Sequence, residues 1–201
     1  MVLNNSMAKK TLIVAEVKTK SPFGWKSSDT WKNLFRIADE IGDIISIHTD
    51  PRWGGSLKLI ERARGLTKKP ILAKGIHRTD EDVKEATAAG ADYVLVVGRI
   101  PLVHMNKCWI EPLVLEELNK IPLRFKVVWN TRDQYSGGKK HQTFSEARKL
   151  WKGWICQASH IRNIDDIQKG ADAVLVGTHL VEFAKSLKHD PKATARKLTK
   201  S

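Results

Sequence analysis

One eight-residue pattern occurs twice in this chain and constrains its fold more than any other feature. Ala89-Gly90-Ala91-Asp92-Tyr93-Val94-Leu95-Val96 returns as Lys169-Gly170-Ala171-Asp172-Ala173-Val174-Leu175-Val176, with Gly90 and Gly170 80 positions apart. Each copy reads as a helix stop at glycine, then a buried strand ending near a second glycine, Gly98 or Gly177. Two copies at that distance imply two similar halves, each built of several strand–helix units.

The rest of the punctuation agrees. Apolar strand candidates start near Thr11, Ile44, Ile71, Tyr93, Lys107, Phe125, Trp154 and Ala173. Helical patterns cover Asp29–Ile41, Leu57–Gly65, Thr79–Ala89, Leu113–Lys120, Thr143–Trp151 and Asn163–Lys169, and Thr79 with Asp82 forms an N-capping signal. Continuous apolar strands separated by helices imply a parallel sheet covered by helices, and eight of them close into a (β/α)8 barrel. Between the fourth and fifth strands stand only Arg99 to Asn106. A crossover needs roughly 10–12 residues at least, so the fourth helix is expected to be missing or reduced to a loop. The chain divides into an N-terminal arm, 1–10, the barrel, 11–184, and a basic C-terminal helix or tail, 185–201.

Several apolar runs end in a group that can do chemistry. Glu16 and Lys18 end the first strand, Lys74 the third, Glu111 the fifth and Asn130 the sixth, with Arg132 just beyond. Burying such groups is costly unless they are paired or face a wet cavity. Barrels of this type place their active site at the C-terminal ends of the strands, so these side chains are expected to share one mouth. Glu16 and Lys18, two apart, lie on one face of their strand. A glutamate and a lysine held together are suited to proton transfer, although a purely supportive ion pair would use the same residues. The loops after the seventh and eighth strands, with Ser159 and Gly177-Thr178, supply hydroxyls and backbone N–H groups for a phosphate.

The chain carries 35 Lys+Arg against 22 Asp+Glu, a formal net charge of +13. Much of that excess is diffuse or terminal and lacks an aromatic-rich basic motif, so no specific nucleic-acid partner is expected. No apolar run reaches the roughly 18–20 residues of a membrane span, and no signal peptide precedes the first strand. Cys108 and Cys156 fall inside strands and read as buried, reduced thiols of a cytoplasmic protein. His48, His77, His160 and His179 follow strands and could converge, but no ligand spacing suggests a metal.

The motifs together resemble the indole-3-glycerol-phosphate synthase family. IVAEVKTKSP at Ile13–Pro22 is similar to its first-strand signature. ISIHTDPRWGGS at Ile45–Ser56 resembles its second-strand segment, with Trp53 in the aromatic place. PILAK at Pro70–Lys74 matches the strand of its catalytic lysine, NTRD at Asn130–Asp133 its sixth-strand motif, and VLVGTHL at Val174–Leu180 its last strand and phosphate loop. The resemblance implies a lyase of tryptophan biosynthesis that closes the indole ring of carboxyphenylamino-deoxyribulose 5-phosphate, with decarboxylation and dehydration and no metal or organic cofactor. It implies Lys74 as general acid, Glu111 as its acid/base partner, and Glu16, Lys18 and Asn130 as further catalytic groups. Ser21, Trp53 and Arg132 would bind the body of the substrate, and Ser159, Gly177 and Thr178 its phosphate. The partner would be a small phosphorylated substrate, handled by a monomer or homodimer. Ala158-Ser159-His160 departs from the family's Glu-Ser-Gly, and about ten residues stand where the family has a long N-terminal extension. A phosphate-binding barrel without turnover, or a lysine-dependent sugar-phosphate aldolase or isomerase, are the alternatives.

Overall fold

In the computed structural model, residues 10–133 and 135–189 are described. Eight parallel strands close on themselves: β1 (Leu12–Val17), β2 (Ile44–His48), β3 (Ile71–Lys74), β4 (Tyr93–Val97), β5 (Cys108–Glu111), β6 (Lys126–Asn130), β7 (Ile155–Ala158) and β8 (Ala173–Val176), with β8 pairing back to β1. Around them lie α1 (Trp31–Ile41), α2 (Leu57–Arg64), α3 (Asp80–Ala88), α4 (Phe144–Leu150) and α5 (Leu180–His189). Helix α5 runs across position 184, where the barrel was expected to end. The arm before Lys10 and the tail after His189 lie outside the described residues.

Strand alternation sorts the core into two layers. Val14, Leu72, Leu95, Trp109, Val128, Cys156 and Leu175 fill the bore of the barrel. Ala15, Ile45, Ala73, Val96, Ile110, Val127 and Val174 face outward beneath the helices. Local sequence starts the helices. Thr30 caps α1 through Asn33 N, while Thr79 with Asp82 and Thr143 with Glu146 form reciprocal capping boxes at α3 and α4.

The repeated pattern is a strand clamp. Gly90 and Gly170 adopt left-handed backbone (φ 104° and 88°), turning the chain into the next strand, from the end of α3 at Gly90 and from a short connection at Gly170. Asp92 Oδ2 then accepts from Ile71 N at 2.8 Å and from Arg64 at 2.9 Å. Asp172 Oδ2 accepts from Ile155 N at 2.9 Å and from Arg148 at 3.5 Å. In both halves the aspartate ties its own strand to the start of the preceding one and to an arginine on the helix that leads into that preceding strand, α2 or α4.

The fourth crossover is indeed reduced, to a single 3-10 turn at Met105–Lys107. Asp80 pins it, accepting from Arg99 at 2.6 Å and from Leu102 N at 3.1 Å. Val103 packs on the outer layer, whereas Leu102 is 82% exposed and Ile100 and Met105 remain open. Two expected helices are not α-helical. Residues 113–120 form a 3-10 helix, Leu115–Lys120, because Pro112 and Pro122 leave room for only a short connection. Residues 163–169 contain only the turn Ile164–Asp166. There Gln157 reaches out of β7, donating to Asp166 O at 2.8 Å and accepting from Gln168 N at 2.9 Å, and so takes up backbone groups that helix bonds would otherwise use.

Candidate active site

At the C-terminal end of the bore, one pocket is lined by Glu16, Lys18, Trp53, Lys74, Asn130, Arg132, Ser159, Gly177 and Thr178, together with Phe23, His160 and His179. Nine of the expected site residues therefore meet. Ser21 is not among the lining residues: its N–H donates to Trp25 O at 2.7 Å and its Oγ accepts from Phe23 N at 3.2 Å, so it shapes the loop that presents Phe23 and Trp25. Glu111 is fully buried beneath the pocket instead of lining it, with Oε1 accepting from Asn130 Nδ2 at 3.0 Å.

The centre is the Glu16 carboxylate. Lys74 Nζ stands 3.1 Å and His48 Nε2 2.8 Å from the same oxygen, Oε1. Burial by itself would raise this carboxyl, but Lys74, Lys18 and His48 hold it well below the usual carboxylate range. Lys18 donates to Thr178 Oγ1 at 2.8 Å and lies over the Trp25 ring. Burial pulls its ammonium down to about 8, against the opposing pull of Glu16. A lysine so tuned exchanges protons close to neutral pH, as a general acid or base must.

Gly177 has a steric reason to be glycine. A Cβ there would stand 1.7 Å from Glu16 Oε2, so any side chain would expel the carboxylate. Beside it, Asn130 Oδ1 accepts from Ser159 Oγ at 2.6 Å and from Arg132 N at 3.0 Å. A chain of hydrogen bonds thus runs from buried Glu111 through Asn130 to Ser159 at the pocket wall. Ser159 and His160 both hold positive φ (73° and 58°), a strained pair of the kind concentrated at working loops. Burial, then Arg132 and Lys139, lower the His160 imidazole and mark this wall as electropositive. With Lys18, Lys74 and Arg132 also at the mouth, the pocket suits an anion.

The histidines separate. His77 points away from the pocket, with Nδ1 2.6 Å from Leu95 O and Nε2 3.2 Å from Thr49 Oγ1, a structural pin. His160 and His179 line the pocket, and His48 reaches the carboxylate beneath it. Alternation puts His48 on the same face of β2 as Ser46, but the pairing of His48 with Lys74 that brings it to the carboxylate is a matter of strand register, which the sequence does not show. Among the described residues, no group of three or more His, Cys, Asp or Glu side chains is placed to hold a metal ion, and no helix is long and apolar enough to cross a membrane.

A closed eight-stranded barrel with a lysine–carboxylate centre at its C-terminal mouth defines the class: a (β/α)8 barrel with an acid–base site. Residues 1–106 match the family model for indole-3-glycerol phosphate synthase. The chain belongs to that family. It is 34% identical over 93 residues to an indole-3-glycerol phosphate synthase of Sulfurisphaera tokodaii, covering 45% of this chain and 38% of that one. It is likewise 34% identical over 101 residues to one of Campylobacter curvus, covering 47% and 38%. The chain thus spans about two fifths of the length of these relatives in each alignment. Glu16, Lys18, Ser21, Trp53 and Lys74 lie inside the matched residues, and Glu111, Asn130, Arg132, Ser159, Gly177 and Thr178 lie beyond them. Among solved structures, KGPDC from Streptococcus mutans superposes with a TM-score of 0.62 at 13% identity, covering 92% of this chain and 98% of that one. A 3-hexulose-6-phosphate synthase gives 0.62 at 16%, covering 88% and 99%. At such identity these two speak for the fold alone.

Proposed function

We propose that this protein is a carboxy-lyase of the indole-3-glycerol-phosphate synthase type, closing the indole ring of carboxyphenylamino-deoxyribulose 5-phosphate with loss of carbon dioxide and water. The observation that carries the proposal is the buried Glu16–Lys74 pair at the floor of an electropositive pocket. Lys74 donates a proton to the substrate's ketone oxygen as the new carbon–carbon bond forms, with Glu16 fixing its ammonium. Lys18, balanced near pH 8, serves the proton transfers of decarboxylation and dehydration. Arg132 and Trp53 hold the aromatic carboxylate end, and Ser159, Thr178 and the backbone at Gly177 hold the phosphate. Glu111 acts through Asn130, orienting the amide that positions Ser159. A cytoplasmic enzyme, monomeric or homodimeric, completes the proposal.

The test is incubation of purified protein with the carboxyphenylamino-deoxyribulose phosphate while following indole fluorescence. Turnover supports the synthase; binding without product over a wide substrate range supports a phosphate-ligand barrel instead. The depressed Lys18 favours one second reading, lysine–carbonyl chemistry of the aldolase type. Borohydride trapping of a sugar-phosphate ketone on Lys18 or Lys74 would select it.

A further inference from the structure

His48 has no role in the chemistry above, yet its placement is costly. It is buried, and its Nδ1 has no hydrogen-bond partner among the described residues. An aliphatic side chain would fill the same space without stranding a ring nitrogen. Glu16 Oε1 stands 2.8 Å from Nε2, in a contact bent out of hydrogen-bond geometry. The surroundings are built to keep it there. Trp53 stacks parallel on the imidazole at 5.4 Å, and Ser56 N donates to the His48 carbonyl at 3.1 Å. At Gly55 the chain passes so close that a Cβ would meet His48 O at 2.3 Å.

We propose that His48 is a positioning residue for the Glu16–Lys74 pair, its Nε2–H poised to donate to the carboxylate oxygen that Lys74 also contacts. The inference rests on the synthase reading for its chemical meaning. When an N–H bond of Lys74 breaks and the proton forms an O–H bond on the substrate's carbonyl oxygen, Glu16 is left facing a neutral amine. The Nε2–H of His48, 2.8 Å away, then straightens onto the carboxylate and holds it in place, without adding a competing positive charge. Of the ionisable groups around the imidazole, Glu16 from β1 and Asp50 beyond its own strand favour the charged ring, whereas Lys74 from β3 and Lys18 after β1 oppose it. Burial leads in drawing His48 down to about 4.

Three substitutions test this, because glutamine can place an N–H where Nε2 stands while asparagine mimics only Nδ1. His48→Leu and His48→Asn should fold normally, lose about tenfold in kcat with KM little changed, and move the acid limb of the kcat/KM profile to higher pH. His48→Gln should restore both. Carbon-13 titration of the Glu16 carboxyl, without any substrate, should show it protonating at higher pH in the Leu and Asn variants and as in the parent in the Gln variant. If the parent makes no indole product, the synthase reading fails while this titration still decides the role of His48. An unchanged Glu16 titration in His48→Leu overturns the proposal. So does an equal loss in all three variants, the signature of simple packing.

Discussion

Both ends of the barrel bore hold lysine, and they treat it in opposite ways. At the N-terminal end Lys126 lies over the rings of Tyr93 at 4.7 Å and of Trp109 and Trp154 at 5.3 Å each, and these rings pack on one another. Nothing in that cage accepts a proton at ordinary pH; the ring faces simply offset the cost of a partly buried cation. At the C-terminal end Lys74 and Lys18 share a cavity with a carboxylate and imidazoles, groups whose own protonation can change. The same residue type is structural where only quadrupoles surround it, and chemical where titratable partners do.

The largest expected effect breaks the reactive end directly. Lys74→Ala should lower kcat by roughly two to three orders of magnitude while changing substrate binding far less, measured by steady-state kinetics and calorimetry. A loss confined to binding would reduce Lys74 to a gripping cation and blur the contrast between the ends.

Next comes acid stability. The unfolded chain protonates His48 near 6.5, whereas the folded chain does so only near 4, so the unfolded state binds more protons between those values. Stability should therefore fall as pH drops from about 6.5 towards 4, by up to roughly 3 kcal/mol from His48. His77, also lowered chiefly by burial, adds in the same direction. Denaturant melts across this window should be distinctly flatter in His48→Leu.

Gly177→Ala should cost roughly tenfold or more in kcat, because its methyl displaces Glu16 while the backbone there tolerates alanine. Phosphate protection against heating should survive it, which separates a carboxylate-spacing role from the phosphate role expected from the loop alone.

Smallest is the effect at the quiet end. Lys126→Ala should destabilise the barrel by about 1–2 kcal/mol and leave kcat unchanged. Altered kinetics in a variant that still folds would show that the two ends are coupled and that the division drawn between them is wrong.

Much of this was legible in the residues. All eight strands lie close to where their apolar runs begin, the capping box of α3 sits where Thr79 and Asp82 pointed, and the short stretch Arg99–Asn106 announced the missing helix. Local signals decide such features, because a cap or a strand alternation involves neighbours a few positions apart. Connections were harder. The stretches 113–120 and 163–169 carry helical patterns, but prolines at 112 and 122 and the reach of Gln157 set their form, and Gln157 comes from the strand before. Ser21 also carried a plausible polar signal, yet its hydroxyl is used within its own loop.

By itself the sequence determined the number and order of the strands, which side chains of each strand share a face, and the two halves marked by Asp92 and Asp172. All of these follow from a two-residue alternation and from turns that are read locally. Only the closed barrel decided that His48 meets Glu16, that Gly177 clears space for that carboxylate, that Glu111 lies under Asn130, and that Lys126 is ringed by aromatics. Alternation says which way a side chain points; the stagger between paired strands sets its height in the bore. Whether two charges stand 3 Å apart or a full layer apart is therefore settled by closure.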